Sequence, residues 1–341
     1  MANTDDWVLS GNLARRAGAK YMAKVYSGVD YIDVVLSASG EPTTPVNSWS
    51  KASTVGGGVS LTYDYMTSAP NGAPAGGFQA FSSAQRTGAE NAMALFAEVA
   101  DITFSRQLAG TADIELGTVS FGGTQFGYTA GEAHTEWTIL GNPATHTYYT
   151  HADVYLTNSF PSTSTQTPGS DGFATMLHEI GHGLGLTHTF NNVSAPSGTD
   201  SEQYSIMAYN EHPDMDVSPS TPLLYDIAAM QYLYGANTST RTGNDTYSWA
   251  TNEAVIMAIW DAGGTDTISA SNQSRDAVIN LNAGSFSSIG SDGSGGDAAN
   301  NIAIAYGATI ENATGGSGDD TLTGNGGNNT LIGNAGNDTI N

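Results

Sequence analysis

Apolar and polar residues change rhythm several times along this chain, and each rhythm implies an element. In "VSLTYDYM" (59–66) they alternate, which predicts a strand, and "ADIELGTV" (112–119) and "ADVYLTNS" (152–159) predict two more. In "RTGAENAMALFAEVADITF", Ala92, Met93, Phe96, Ala97 and Ala100 recur at helical spacing before Asp101 and Thr103 lead into a strand. "DGFATMLHEIGHGLG" sets Phe173, Met176, Leu177 and Ile180 on one helical face. Gly185 is its natural stop, because glycine tolerates the left-handed conformation. "TPLLYDIAAMQYLYG" (221–235) carries Pro222 near its start and Gly235 at its end, which punctuates a helix. "YIDVVLSASG" (31–40) begins the folded part.

Past Gly235 the composition shifts to Gly, Asn, Asp, Ser and Thr, and no helix-length periodicity remains. Residues 315–341 divide into three nines: "GGSGDDTLT", "GNGGNNTLI" and "GNAGNDTIN". Each has Gly at its first position (Gly315, Gly324, Gly333) and at its fourth (Gly318 in the first unit). Each has Asp320, Asn329 or Asp338 at its sixth, and Leu322, Leu331 or Ile340 at its eighth. One such unit cannot bury its apolar residue alone, so neighbours must stack, and the prediction is a parallel β solenoid. The boundary between the two regions falls within residues 235–245.

Composition narrows the chemistry. Charged residues are 12 % of the chain, yet the net charge is −24. Of the nine basic residues, Arg15, Arg16, Lys20 and Lys24 lie within residues 1–28. So acidic a chain repels nucleic acid and anionic membranes, and suits a protein that collects cations. There is no cysteine, so a transition-metal site must use His, Asp, Glu or Tyr. No apolar run reaches the roughly 18 residues of a membrane span. "MANTDDWVLSGNLARR" lacks a basic region followed by an apolar one, and is not a conventional signal peptide.

The densest chemistry is "HEIGHGLGLTH" (178–188). His178 and His182 are four apart, which on a helix stacks them about 5–6 Å apart between Cβ atoms, close enough to share one ion. Glu179 lies about 100° further round, within reach of a metal-bound water. Gly185 breaks the helix and turns the chain so that His188 supplies a third nitrogen. Three nitrogens leave a tetrahedral Zn²⁺ one open position, the catalytic arrangement. Its water is acidic near neutral pH, and Glu179 serves as general base. Three histidines on an otherwise apolar helix would be costly without an ion. HExxHxxGxxH is the metzincin signature, and all five of its fixed residues are present.

"SIMAY" (205–209) follows. With it the chain resembles the serralysins, bacterial RTX zinc endopeptidases whose motif is Ser-x-Met-x-Tyr, matched here by Ser205, Met207 and Tyr209. "IDVVLS", Trp49, "AMALFAEVADITF", "ADIELG", "TPLLYDIAAMQYLYGAN", "IWDAGGTDTI", "INLNAGSFSSIG" and "IAIAYGATIENATGGSGDD" extend the resemblance over most of the chain. It implies an α+β metzincin catalytic domain, a twisted sheet with two long helices, followed by a parallel β-roll of glycine-rich RTX nonapeptide repeats loaded with calcium. It implies that Met207 floors the zinc site. Tyr209 would be a distant zinc ligand that swings out to hydrogen-bond the oxyanion. It also implies cleavage of internal peptide bonds and export by a bacterial type I system.

The expected division is a leader or pro-segment over 1–28, a zinc metallopeptidase domain over 29–238 and a calcium-binding RTX β-roll over 239–341. Zn²⁺ is held by His178, His182 and His188, with Tyr209; Glu179 and Tyr209 are catalytic and Met207 is structural. Asp320 and Asp338, with Asn329 and the turn glycines Gly315, Gly318, Gly324 and Gly333, surround several structural Ca²⁺ ions. A neutral Asn329 weakens one site. Packed carboxylates repel until neutralised, so this region folds with its metal. The repeats still run at Asn341, so the expected roll is truncated at its C-terminus. The chain is expected to be a secreted monomer that acts on proteins and peptides, with no nucleic-acid partner and no membrane insertion. The rival readings are a calcium-dependent extracellular binding or surface-layer protein with a vestigial zinc site, and a metzincin acting on one partner. An intact Glu179 and Tyr209 argue against a vestigial site. The basic leader would dock on the acidic catalytic surface and hold the enzyme quiet. "FGYTAGEAH" (126–134) is a candidate edge strand for pairing with an extended peptide. His146, His151 and Asp153 read first as surface residues, though His-x-Asp binds a structural metal in some metzincins; His134 and His212 have no assigned role.

Overall fold

The structure is a computed structural model that describes residues 30–36, 47–49, 56–69, 77–108, 111–119, 131–141, 144–157, 164–191 and 196–341. The leader 1–28 lies outside the described residues. The N-terminal part holds α1 (Asp30–Asp33), β1 (Asn47–Ser48), β2 (Val59–Tyr65), α2 (Ser83–Val99), β3 (Ile102–Arg106), β4 (Ile114–Val119), β5 (Gly131–Gly141), β6 (Ala144–Thr157), α3 (Asp171–Gly183) and α4 (Leu224–Tyr234). The predicted helices and strands fall at the expected places, but β6 begins at Ala144, eight residues before the alternation becomes legible. The residues "THTYYTH" are polar and aromatic, and pairing with β5 recruits them into the strand.

These strands form one six-stranded sheet, ordered β1-β6-β4-β2-β3 with β5 on the other side of β6. All pairs are parallel except β5–β6. β5 is therefore an edge strand. Residues 126–130 of the expected edge strand lie outside the described residues, and the described strand starts at Gly131. One face of the sheet buries Leu61, Ile114, Leu116, Ala152 and Val154 against Ala92, Met93 and Phe96 of α2 and Phe173, Leu177 and Ile180 of α3. That burial is the main stabilising term. α2 is also closed at its start by a capping box: Gln85 N donates to Ser82 Oγ at 3.3 Å, and Ser82 N donates to Gln85 Oε1 at 2.9 Å.

The C-terminal part has no helix. It contains β7 (Thr246–Ser248), β8 (Met257–Ile259), β9 (Thr267–Ser269), β10 (Val278–Asn280), β11 (Phe286–Ser287), β12 (Ile302–Ile304), β13 (Asn312–Thr314), β14 (Thr321–Thr323), β15 (Thr330–Ile332) and β16 (Thr339–Ile340). β15-β13-β9-β7 form one parallel sheet and β10-β14-β16 another. Successive nine-residue units thus place their strands in the two sheets by turns, with Asn312 opposite Thr330 and Thr321 opposite Thr339. Leu322 is fully buried, Leu331 packs partly buried against the same core, and Ile340, in the last strand, is 54 % exposed. The inward role expected of all three eighth positions therefore holds for Leu322, in part for Leu331, and not for Ile340.

The repeat pattern itself has a steric cause. A Cβ on Gly315 would collide with the Asp320 carboxylate, one on Gly324 with the Asn329 amide, and one on Gly333 with the Asp338 carboxylate. The first and sixth positions of each unit pack as a pair, so glycine at one accommodates Asp or Asn at the other. The two parts adjoin: Ile256, Ala258, Ala303 and Ala305 belong to the same core as α4. Asp216 N donates to Asp292 O at 2.7 Å, and Tyr204 meets Phe286 edge to face. His212, unassigned from sequence, is buried here. It donates from Nε2 to Asn300 O at 3.2 Å and accepts from Asp214 N at Nδ1.

Candidate metal centre

The zinc-type motif folds as its spacing requires. Ser170 caps α3, its Oγ accepting from Phe173 N, and the helix carries His178, Glu179 and His182 to its last turn. Gly185 adopts φ +108°, Gly185 N donates to His182 O, and Leu186 N donates to Gly181 O. This pair of bonds is a Schellman motif, which turns the chain and returns His188 to the helix.

The three imidazoles converge. His188 Nε2 lies 3.2 Å from His178 Nε2 and 3.0 Å from His182 Nε2. His178 Nδ1 is 2.7 Å from Ile206 O, and His182 Nδ1 is 2.9 Å from Leu186 O. A carbonyl only accepts, so both Nδ1 atoms carry the proton. The Nε2 atoms of His178 and His182 are then bare lone pairs, and both face His188 Nε2. Burial keeps the rings neutral: it lowers His178 to about 4 and His182 well below the ordinary value. Burial together with the nearby His178 lowers His188 to about 3. Lone pairs facing at 3 Å repel unless a cation sits among them, so this donor set fits a bound metal ion.

Glu179 is buried beside the triad. Gly131, at the start of edge strand β5, touches it so closely that a Cβ there would approach Glu179 Oε1 to 2.5 Å. Met207 is fully buried under the helix, with its Sδ 3.0 Å from where a Cβ of Gly181 would sit. Its turn is held from below. The buried Asp226 carboxylate accepts from Ser205 Oγ at 2.6 Å, Ile206 N at 2.8 Å and Leu223 N at 2.9 Å. Since Ile206 O in turn orients His178, Asp226 reaches the centre through one peptide. Burial pushes Asp226 up to about 7, against the pull of those three donors. The Tyr209 ring is 63 % exposed, 4.6 Å from the His188 ring and 5.8 Å from that of His178. Phe190, 44 % exposed, stacks on His188 at 4.7 Å and an interplanar angle of 17°. Sequence reasoning missed Gly131 and Asp226, which act across a distance in the chain, and Phe190, two residues past His188, whose stacking depends on how the chain turns after the motif.

Two further groups of ligand-type side chains lie close together among the described residues. Asp245, Asp261 and Asp266 hold carboxylate oxygens within 4.8 Å of one another. Asp266 is fully buried, its Oδ2 has no hydrogen-bond partner, and Glu311 Oε2 accepts from its backbone N at 2.7 Å. Burial, then the charges of Asp261, Glu311 and Asp245, raise Asp266, although a backbone donor opposes them. An oxygen-only cluster of this kind fits a hard cation. The signal in the sequence was the spacing "DAGGTD", whose Gly263 and Gly264 both take positive φ. Asp320 and Asp338 do not join such a cluster. Asp320 accepts from Ala277 N and Gly316 N, and Asp338 accepts from Asp320 N. The third group is Glu115, His151 and Asp153 on the outer face of the sheet. His151 Nε2 lies 3.0 Å from Asp153 Oδ1, a bond that raises its proton affinity while burial lowers it, so the pair reads as a half-buried ion pair. The side chains of His134 and His146 lie outside the described residues.

With this geometry in place, the chain was compared with known proteins. The family model described as Matrixin matches residues 78–235, and that described as peptidase M10 serralysin C terminal matches residues 225–341. The metallopeptidase AprA of Pseudomonas marginalis is 34 % identical over 303 residues, covering 78 % of this chain and 60 % of the relative. Serralysin B of Dickeya chrysanthemi is 34 % identical over 317 residues, covering 82 % and 62 %. Serralysin of Proteus mirabilis is 31 % identical over 274 residues, covering 71 % and 54 %. Fold, histidine triad and family models together define a metallopeptidase-type unit, for which the matrixin match implies zinc, followed by a serralysin C-terminal domain. The chain belongs to the serralysin family. It spans about 60 % of the length of the curated relatives it matches.

Proposed function

We propose that this chain is a zinc-dependent endopeptidase that hydrolyses internal peptide bonds of proteins. The observation that carries the reading is the triad of imidazoles, His182 and His188 buried and His178 partly so, whose Nε2 atoms converge on one point beside Glu179. His178, His182 and His188 would hold the ion. Bound there, Zn²⁺ would supply Lewis acidity that polarises the scissile carbonyl and acidifies water near neutral pH. Glu179 takes the proton of the attacking water and passes it to the leaving amine. Tyr209, exposed at the mouth of the site, donates its phenol hydrogen to the developing oxyanion. Met207 supplies the apolar floor. β5 offers its outer edge to an extended peptide, which orients the substrate across Glu179.

Residues 29–238 form the catalytic domain in this reading, and 239–341 a calcium-binding RTX β-roll. The alternating parallel strands, the paired glycine and Asp/Asn positions, and the carboxylates of Asp245, Asp261 and Asp266 support a calcium role. Ca²⁺ at those carboxylates, and at the turns of Asp320, Asn329 and Asp338, would relieve their mutual repulsion. In this reading the chain is a secreted monomer that leaves by type I export, as its membership of the serralysin family suggests.

The test is hydrolysis of unfolded casein with Ca²⁺ present, comparing the parent with Glu179→Ala, each with and without a zinc chelator. The parent should be active and silenced by the chelator. Glu179→Ala should be inactive by at least about 10²-fold while still binding one zinc. A parent that binds zinc and cleaves nothing would favour the calcium-dependent binding protein instead.

A further inference from the structure

Two of the three histidines ride on α3, which fixes them. The third is placed by the five residues between His182 and His188 and by Thr189 after it, whose N donates to Met207 O at 3.4 Å and whose Oγ1 donates to Asp200 Oδ1, and several partners of the 183–187 turn come from far along the chain. The end of a helix leaves carbonyls without helical donors. Here Gly183 O accepts from Trp49 Nε1 at 2.7 Å, and Leu184 O accepts from Tyr234 Oη at 2.6 Å. Trp49 N donates to the same Tyr234 Oη at 3.3 Å, so indole, phenol and both carbonyls form one buried set. One residue before the ligand, Thr187 N donates to Val35 O at 2.8 Å. Between the second and third ligands, the local bonds are the two of the Schellman motif, those from Leu184 N to Ile180 O and Gly181 O, and the His182–Leu186 bond. The long-range bonds come from residues 35, 49 and 234.

We propose that Trp49 and Tyr234 are positioning residues for the third zinc ligand, and that Val35 and Trp49 act together as a strap that tunes metal affinity. The proposal rests on the zinc reading given above. Its physical basis is that His188 alone lacks a helix beneath it. Any slack in the 183–187 backbone moves His188 Nε2 relative to the two fixed nitrogens, and a three-nitrogen site tolerates little displacement. Trp49 and Tyr234 touch neither the ion nor the substrate. They act through the carbonyls of Gly183 and Leu184.

The experiment uses the full chain with Ca²⁺ and measures zinc affinity by competition with a chromophoric chelator. The visible spectrum of the Co²⁺-loaded protein, which reports ligand geometry, is recorded beside it. Trp49→Phe keeps an aromatic ring, smaller than the indole, and loses the N–H; Tyr234→Phe loses only the hydroxyl. Each should weaken zinc binding about tenfold, within the 10–100-fold range of residues that orient ligands, and change the Co²⁺ bands. Tyr65→Phe is the control, since its hydroxyl bonds Arg86 O and Glu90 of α2 and none of the groups that hold the 183–187 turn. It should leave both readouts unchanged. If Trp49→Phe does not fold, Tyr234→Phe decides. Zinc affinity within twofold of the parent and an unaltered Co²⁺ spectrum in Tyr234→Phe would overturn the proposal, as would equal weakening in Tyr65→Phe. A parent that binds no zinc would sink the zinc reading itself, and the strap with it.

Discussion

Gly131 has no side chain, and Glu179 occupies the space one would need. A methyl group there would sit 2.5 Å from Glu179 Oε1, far inside contact distance. Glu179 must then rotate away from the triad or push the edge strand outward. Gly131→Ala is therefore expected to lower kcat by about tenfold or more, while zinc stoichiometry stays at one. Steady-state kinetics with a zinc titration checks this, and an unchanged kcat would show that the base has room to spare. The residues proposed for the chemistry were legible in the sequence, because His178, Glu179, His182 and His188 sit within one helix and its turn. Gly131, Asp226 and Phe190 were not, because nothing local in a sequence says which glycine will meet which carboxylate. Phe190 also changes the picture of the mouth: with Tyr209 at 4.8 Å it forms an exposed aromatic pair on one side of the triad.

At the scale of elements, capping and periodicity separate what can be read from what cannot. The end of α3 was readable because glycine at C′ is a local requirement, and Gly185 meets it. The length of β6 was not, because a partner strand recruits residues that do not alternate. In the C-terminal part, the nine-residue rhythm of 315–341 announced stacked strands. β7 to β12 went unread because the offsets between paired residues there are irregular, with Thr246 opposite Thr267 and Val278 opposite Thr321. The same element view sets an energetic contrast. Leu322 is fully buried between turns, whereas Ile340 is mostly exposed. Leu322→Ala should cost about 2–5 kcal/mol, and Ile340→Ala less than about 0.5 kcal/mol. Chemical denaturation of the Ca²⁺-loaded chain measures both, and equal costs would mean that the stack does not bury its apolar residues as seen here.

For the molecule as a whole, proton linkage and metal binding pull together. The folded histidines at the centre have pKa values lowered by burial, to about 4 for His178 and about 3 for His188. Below pH 6.5 the unfolded chain takes up protons that the folded chain refuses, so their contribution to stability is full above 6.5 and is lost as pH falls. Asp226 has the opposite sign. Raised to about 7, it contributes most below its unfolded value near 4 and loses that contribution as pH rises through 7. With His178, His182, His188 and His212 lowered against Asp226 and Glu202, both raised to about 7, the metal-free chain should lose stability between pH 6.5 and 5. The zinc-loaded chain should lose less, because the ion competes with protons for the same lone pairs. Unfolding midpoints of both forms across that range decide it; a flat metal-free profile would contradict the assigned burial of the triad.

The strap has a consequence in time. Trp49 lies 134 residues from Gly183 and 185 from Tyr234. Contacts of such separation form late, since the chain must first close large loops. During synthesis from the N-terminus, all three histidines emerge before Tyr234 does, and for that interval the ligands exist without the turn that aligns them. On the proposed reading, an unfinished chain would carry the ligands of a peptidase before the bonds that align the third of them, so metal-site alignment would wait on the closing of the longest loops.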